Sequence, residues 1–378
     1  MDNLTHSLVG LTLAKAGVER LSPGATALCV LAANAPDVDV AVLVFRDRWD
    51  YLQHHRGITH SIVGVCFLAL ALPSVFYLVD RLSAQFRKRS PQVKFPGLLL
   101  ASAIATATHP FLDWTNNYGI RFLLPWNPKW FYGDFAFVID PYFWMVLGGA
   151  AFLLTATTKP RLILWAVLAL LPTFLVVMGA VGNNRAANAN VLRGFWLLAL
   201  VLVIAAYRLQ FAKRFGRKIA VSALIAISVY CSALALTHRV ALKRAEAQAA
   251  RLSLGNGEQV VRVAAMPTVA NPTAWLCVFE TERATYKFDL SLFKADEAVN
   301  LRRFEKPTGR AAELIAEADH DKRAQVFLGF ARFPGFRVVD ESCATQTLVQ
   351  FADLRYTEPG NGRGTFSLEL PVECAPLN

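Results

Sequence analysis

The chain has 378 residues, of which 54% are hydrophobic and 18% charged, and its mean hydropathy of +0.36 is more apolar than a soluble protein of this length sustains. Formal net charge is +11, but the basic residues fall in short runs between apolar segments, so the positive-inside rule accounts for them and no nucleic-acid partner is expected. Six cysteines without a CxxC pair argue against a cysteine zinc cluster.

The opening MDNLTHSLVG has no Lys/Arg-rich region before its apolar run and no small-residue cleavage site, so it is expected to remain as the first helix. Apolar stretches predict spans at roughly 4–18, 25–45, 61–80, 97–113, 139–157, 162–182, 194–209 and 219–238, the first and fourth being short or polar. The expected fold class is an all-α polytopic membrane helix bundle of about eight spans with a small β-rich (α+β) soluble C-terminal domain. The segments Arg81 to Phe95 and Arg208 to Lys218 are rich in Lys and Arg and should face the cytoplasm. Alternation then places the N-terminus, Trp49 to His60, Trp114 to Asp140 and everything after His238 on the outer side. A polar outer loop with Asn183, Asn184, Arg185, Asn188 and Asn190 follows the sixth span.

Beyond Leu252 the stretches TAWLCVFET, ATYKFDLSL, QTLVQFADLRY and TFSLELPVEC alternate as strands do, with a Pro-Gly-Asn-Gly turn at 359–362. Residues 1–250 are therefore expected to form the membrane-embedded domain and 251–378 a β-rich extracytoplasmic domain, joined by the basic, Ala-rich helix Arg239 to Arg251. In an oxidising compartment Cys343 and Cys374 can pair, leaving Cys277 odd. His320, in the charged run EADHDKR, reads as part of a solvated helix face.

Five of the seven histidines, His6, His54, His55, His60 and His109, lie in the first 110 residues beside expected span ends on one side. Neutral imidazole is the commonest metal ligand, so convergence of several points to a metal. Asp37 and Asp39 sit within the apolar run LAANAPDVDVAVLVF, where a carboxylate costs roughly 2.5 to 3.5 kcal/mol unless a charge is supplied from elsewhere. Pro36 interrupts that span and lets the Asp-x-Asp pair turn toward one site. In HHRGITHS, Gly57 bends the chain so that His55 and His60 can approach a common centre, and Arg56 offers a planar fork for an anion. His109 and Asp113, four apart, share a helix face. Asn116, Tyr118 and Asp140 are candidate substrate contacts in a loop whose Trp and Tyr residues otherwise read as an interfacial aromatic belt.

Thr5-His6-Ser7, Pro36-Asp37-Val38-Asp39, His54 through Ser61, His109 through Asp113, and Thr115-Asn116 through Tyr118-Gly119 to Pro125 together resemble the YdjM-like (LexA-regulated), membrane-bound metal-dependent hydrolases of the bacterial inner membrane. The likeness covers about residues 1–180, and the C-terminal region is similar to the appended domain of longer members. It implies a divalent metal, zinc first, with one to three ions held by His6, Asp37, His55, His60, His109 and Asp113. Through a motif style similar to zinc-dependent phospholipase C, it also implies a phosphoester substrate. The expected function is hydrolysis of a lipid or lipid-linked phosphoester, with Asp39, His54 and Arg56 as catalytic residues and membrane lipids as the partner. The rival expectations are a proton- or cation-coupled transporter, or a non-catalytic scaffold with a structural metal.

Overall fold

Side-chain chemistry at the helix ends accounts for the first elements. Asp2 caps α1 (Asn3–Lys15) by accepting from the Thr5 amide at 3.0 Å and the Thr5 hydroxyl at 2.7 Å. α2 (Ala25–Asn34) gives way at Pro36 to a 3-10 segment, Ala35–Ala41, because proline cannot continue the α hydrogen-bond ladder. That tightened turn carries Asp37 and Asp39. The chain is described by a computed structural model over residues 1–179, 189–293, 298–343, 345–362 and 364–374; of the expected outer loop, Asn183, Asn184, Arg185 and Asn188 lie outside these residues.

The remaining membrane helices are α3 (Ile62–Phe86), α4 (Phe95–Trp114), α5 (Pro141–Thr155), α6 (Lys159–Val177), α7 (Ala189–Arg208) and α8 (Arg217–Asn256). Among the described residues six segments are long and apolar enough to cross a bilayer, the first being Ala25–Phe45, in which the 3-10 turn continues α2. α1, with 13 residues, and α5, with 15, are the shorter ones. At 1.5 Å per residue they reach about 20 and 22 Å, less than a bilayer core of about 30 Å. Their burial suits that length: Leu8 and Val9 of α1 pack with Phe143, Trp144 and Leu147 of α5 in one apolar core. α8 runs unbroken for 40 residues, so the expected basic linker helix is its continuation.

The chain divides into two units, one of Met1–Asp39, Arg56–Thr237 and Pro267–Pro272, the other of Val40–His55, His238–Met266 and Thr273–Asn378. In the second, Ala241, Ala245 and Ala249 recur every four residues along α8 and pack with Trp275, Cys277, Phe279, Tyr286 and Phe288. These aromatics belong to a sheet of order β1 (Val260–Thr268), β2 (Asn271–Thr281), β3 (Ala284–Ser291) and β4 (Val299–Glu305). A three-stranded antiparallel sheet, β5 (Pro334–Val338), β6 (Gln346–Asp353) and β7 (Ser367–Glu373), completes it. In chain order α9 (Gly309–Ala318) and α10 (Lys322–Phe330) fall between β4 and β5, and the run around His320 forms the turn joining them, with Asp321 capping α10.

Cys343 and Cys374 form a disulfide across 31 residues of sequence. Its replacement by two alanines is expected to lower the unfolding free energy of this unit by about 2–4 kcal/mol, since the link restricts the unfolded chain. Denaturant unfolding followed by tryptophan fluorescence checks this; an unchanged midpoint would refute it.

Candidate metal centre

Three elements of the first unit bring charged side chains together. The 3-10 turn after α2 supplies Asp37 and Asp39, the short turn Ile58–His60 supplies His60, and α4 supplies His109 and Asp113 from one face. Ser61 anchors the His60 turn to α3, its hydroxyl donating to the Ile58 carbonyl at 2.8 Å and accepting from the Gly64 amide at 3.2 Å. His60, His109 and Asp113 are buried.

A tetrahedral ion bound to nitrogen and oxygen at about 2.0–2.1 Å needs neighbouring donor atoms about 3.3 Å apart. His60 Nε2 and His109 Nε2 lie 3.2 Å apart. Asp37 Oδ1 is 3.3 Å from the first and 3.4 Å from the second, and Asp113 Oδ2 is likewise 3.3 and 3.4 Å away. These are five of the six edges of such a tetrahedron. Asp113 Oδ2 is fully buried with no hydrogen-bond partner, which leaves its lone pairs open to a cation at the centre. The donors therefore fit a resident divalent ion.

The outer nitrogens of both imidazoles are committed elsewhere. His109 Nδ1 lies 2.6 Å from the Ala33 carbonyl, an acceptor, so Nδ1 carries the proton and Nε2 presents its lone pair to the centre. His60 Nδ1 faces Asp39 Oδ2 at 3.3 Å and the Thr59 hydroxyl at 3.0 Å. Asp37 and Asp39 thus grip one imidazole at its two ends. Burial alone would lower the pKa of His60, but hydrogen bonds with Asp113, Asp37 and Asp39 outweigh it and push it up to about 10: the pocket favours positive charge.

Arg56 is buried in a left-handed backbone conformation, φ 51°. Its amide donates to Asp39 Oδ2 at 2.9 Å, Nη2 to Asp113 Oδ1 at 3.1 Å, and Nη1 to Asn116 Oδ1 at 2.8 Å and the Gly119 carbonyl at 3.3 Å. It holds the carboxylates and the following loop in place. His6 is buried beside the four donors, stacked on His109 with centroids 3.7 Å apart and its Nε2 3.3 Å from Asp113 Oδ1. Neither of its ring nitrogens has a hydrogen-bond partner.

The structure therefore gathers Asp37, His60, His109 and Asp113 around one point, with Asp39, Arg56 and His6 against them. His54 is exposed at the end of the short helix Arg48–His54, and the partly buried His55 stacks on Tyr51 at 4.6 Å. Asn116 is fully buried, with its amide nitrogen unpartnered. Tyr118 lies under the Arg56 guanidinium at 4.7 Å. Asp140 caps α5 through the Tyr142 amide and accepts from the Tyr230 hydroxyl, both at 2.9 Å. The Ala33 carbonyl has no place in the sequence reading, and Thr59 enters it only within the run His54 to Ser61. A backbone acceptor leaves no residue signature, whereas Thr59 was visible one position before His60.

Residues 1–186 match the family model described as YdjM inner membrane protein. A relative in Bacillus subtilis (strain 168), the uncharacterized protein YfhP, is 32% identical over 152 residues, which cover 38% of this chain and 42% of the relative. The chain thus spans about two fifths of the length of that relative. No solved structure matches.

Proposed function

Since the N-terminal half of this chain belongs to the YdjM inner membrane protein family, we propose that it is a membrane-embedded metal-dependent hydrolase, with zinc held by Asp37, His60, His109 and Asp113 and a lipid or lipid-linked phosphoester as substrate. The observation that carries this reading is the set of donor separations of 3.2 to 3.4 Å, with both imidazoles turned so that Nε2 faces the centre. Bound there, the ion supplies a water of lowered pKa and polarises the scissile group.

The chain's own groups do the rest. Asp39 and the Ala33 carbonyl hold the protons on the outer nitrogens of His60 and His109. Asp39 Oδ2 also serves the Arg56 amide and lies 3.4 Å from the Thr59 hydroxyl, so in this reading Asp39 orients. His6, stacked on His109 with its Nε2 3.3 Å from Asp113 Oδ1, buttresses two of the ligands. The buried Asn116 amide nitrogen is a donor for a substrate oxygen.

The proposed site faces the periplasm. Lys15, Arg87–Arg89, Lys159, Arg161, Lys213 and Arg214 all fall on the opposite side if every helix from α1 to α8 crosses in turn. The disulfide of the C-terminal unit suits an oxidising compartment.

The test is elemental analysis of detergent-purified protein, with hydrolysis of phospholipid and lipid-phosphate substrates. Wild type is expected to hold about one zinc per chain, and the His60→Ala, His109→Ala double variant to lose both metal and hydrolysis. A chelator-free preparation without metal would sink the reading and return the chain to cation-coupled transport.

A further inference from the structure

The chain segments that follow α1 and α3 are tied to each other, the Lys94 amide donating to the Ser22 hydroxyl at 2.9 Å. One carboxylate shapes the second segment: Asp80 accepts from Arg89 Nη2 at 2.7 Å through Oδ1, and from the Gln92 and Val93 amides at 2.7 and 2.9 Å through Oδ2. In the first segment Glu19 is occupied by Lys15 at 2.7 Å and by the Thr26 hydroxyl at 3.1 Å. Residues 16–24 and 62–94 contain no other acid, so the exposed Arg20, Arg87, Lys88 and Lys94 find no carboxylate in either segment to pair with. The end of α3 is also strained for the residue it carries. The Arg89 amide reaches the Ala84 carbonyl at 2.9 Å and the Lys88 amide the Gln85 carbonyl at 3.3 Å, which closes the helix with Lys88 left-handed at φ 49°. The same position is Gly17 after α1 and Gly179 after α6, both at positive φ. A side chain there costs stability that glycine avoids, so the fold alone does not account for a lysine. Just before it stand Arg87 and Phe86, whose ring is 86% exposed.

We propose that Phe86, Arg87 and Lys88 form a binding site for the headgroup of an anionic phospholipid, with Arg20 and Lys94 adding to the positive field. His109 and Asp113 stand at the opposite end of α4 from Lys94, so this site is separate from the metal centre and does not depend on it. The positive-inside rule requires only that cations be present; it calls for neither a left-handed lysine nor a projecting ring. A planar guanidinium matches two phosphate oxygens at once and an ammonium meets a third, while cations at the membrane surface attract anionic lipid. The ring at the last turn of a span decides the source of the phosphate, because acyl chains cover it and a soluble anion leaves it in water. A loop already folded around Asp80 loses little freedom on binding, which favours affinity.

Delipidated full-length protein in detergent is titrated with phosphatidylglycerol or phosphatidylcholine, and native mass spectrometry reads the dissociation constant of the first lipid bound. Wild type is expected to favour phosphatidylglycerol. The Arg87→Gln, Lys88→Gln double variant should weaken that lipid about tenfold or more and leave phosphatidylcholine unchanged. Lys88→Gly separates binding from folding: it relieves the left-handed strain, so thermal unfolding should come no earlier than in wild type while phosphatidylglycerol binds about fivefold more weakly. Lys213→Gln, Arg214→Gln, at an exposed basic pair of another segment, should bind as wild type does. Equal affinity for the two lipids in wild type overturns the proposal, as does undiminished phosphatidylglycerol binding by Lys88→Gly. Equal losses in the two double variants also overturn it, since overall positive charge then accounts for the binding. Displacement of phosphatidylglycerol by an equal concentration of glycerol phosphate, or full affinity in Phe86→Gln, gives the site to a soluble phosphate and overturns the assignment to a lipid.

Discussion

Asp113→Asn is expected to empty the metal centre and to destabilise the membrane unit together. Oδ2 of this residue supplies two of the five short donor separations, at 3.3 and 3.4 Å from the imidazole nitrogens, and an amide is a poor ligand for a divalent ion that prefers anionic oxygen or imidazole. Oδ1 meets the Arg56 guanidinium at 3.1 Å, with the arginine side chain 5% and the aspartate 1% exposed. Removing one partner of so buried a pair leaves the other charge uncompensated, at a cost of about 3–5 kcal/mol. Metal content should fall close to zero, and thermal unfolding in detergent should begin markedly lower. A variant that keeps its full metal complement would show that Asp113 is not a ligand.

The second large effect comes from a residue with no polar atom in its side chain. Gly64 lies on the first turn of α3, where an added Cβ would collide with the Ile58 carbonyl oxygen and come within 2.8 Å of the Thr59 Cα. Both are backbone atoms of the turn that carries His60, so relief requires the turn to leave the helix rather than a side chain to rotate. Overpacking of this kind costs about 1–3 kcal/mol, and here the displaced residue is the imidazole gripped by Asp37 and Asp39. Gly64→Ala is therefore expected to lose most of its bound metal, while Gly148→Ala, whose new Cβ meets only Leu8 at 3.8 Å, keeps it. Equal metal content in the two variants would refute the argument.

Much of this architecture is legible from the sequence, because a bilayer restricts the choices. Apolar runs of span length, Pro36 in the second of them and alternating stretches after residue 252 all became the elements their patterns imply. The short helices α1 and α5 show the limit of that argument. Hydropathy registers apolar surface without telling whether lipid or protein covers it, and Leu8 and Phe143 are covered by protein. α9 and α10 carry no long apolar run, and α9 finds its place by packing on the sheet of β5, β6 and β7.

The same division holds at the centre. Sequence alone determined that histidines and aspartates cluster at one set of span ends, because intramembrane carboxylates at Asp37, Asp39 and Asp113 must meet positive charge wherever the chain folds. Tertiary structure decided which of them meet. His54 stands two residues from Arg56 in the chain yet is exposed at the end of a short helix, while His109 reaches His60 from 49 residues away. It also decided roles: Arg56 reads as an anion fork until its donors are seen to serve Asp113, Asn116 and Gly119. Residue type states what a side chain is able to bind; only the arrangement of competing partners within a few ångströms determines what it does bind.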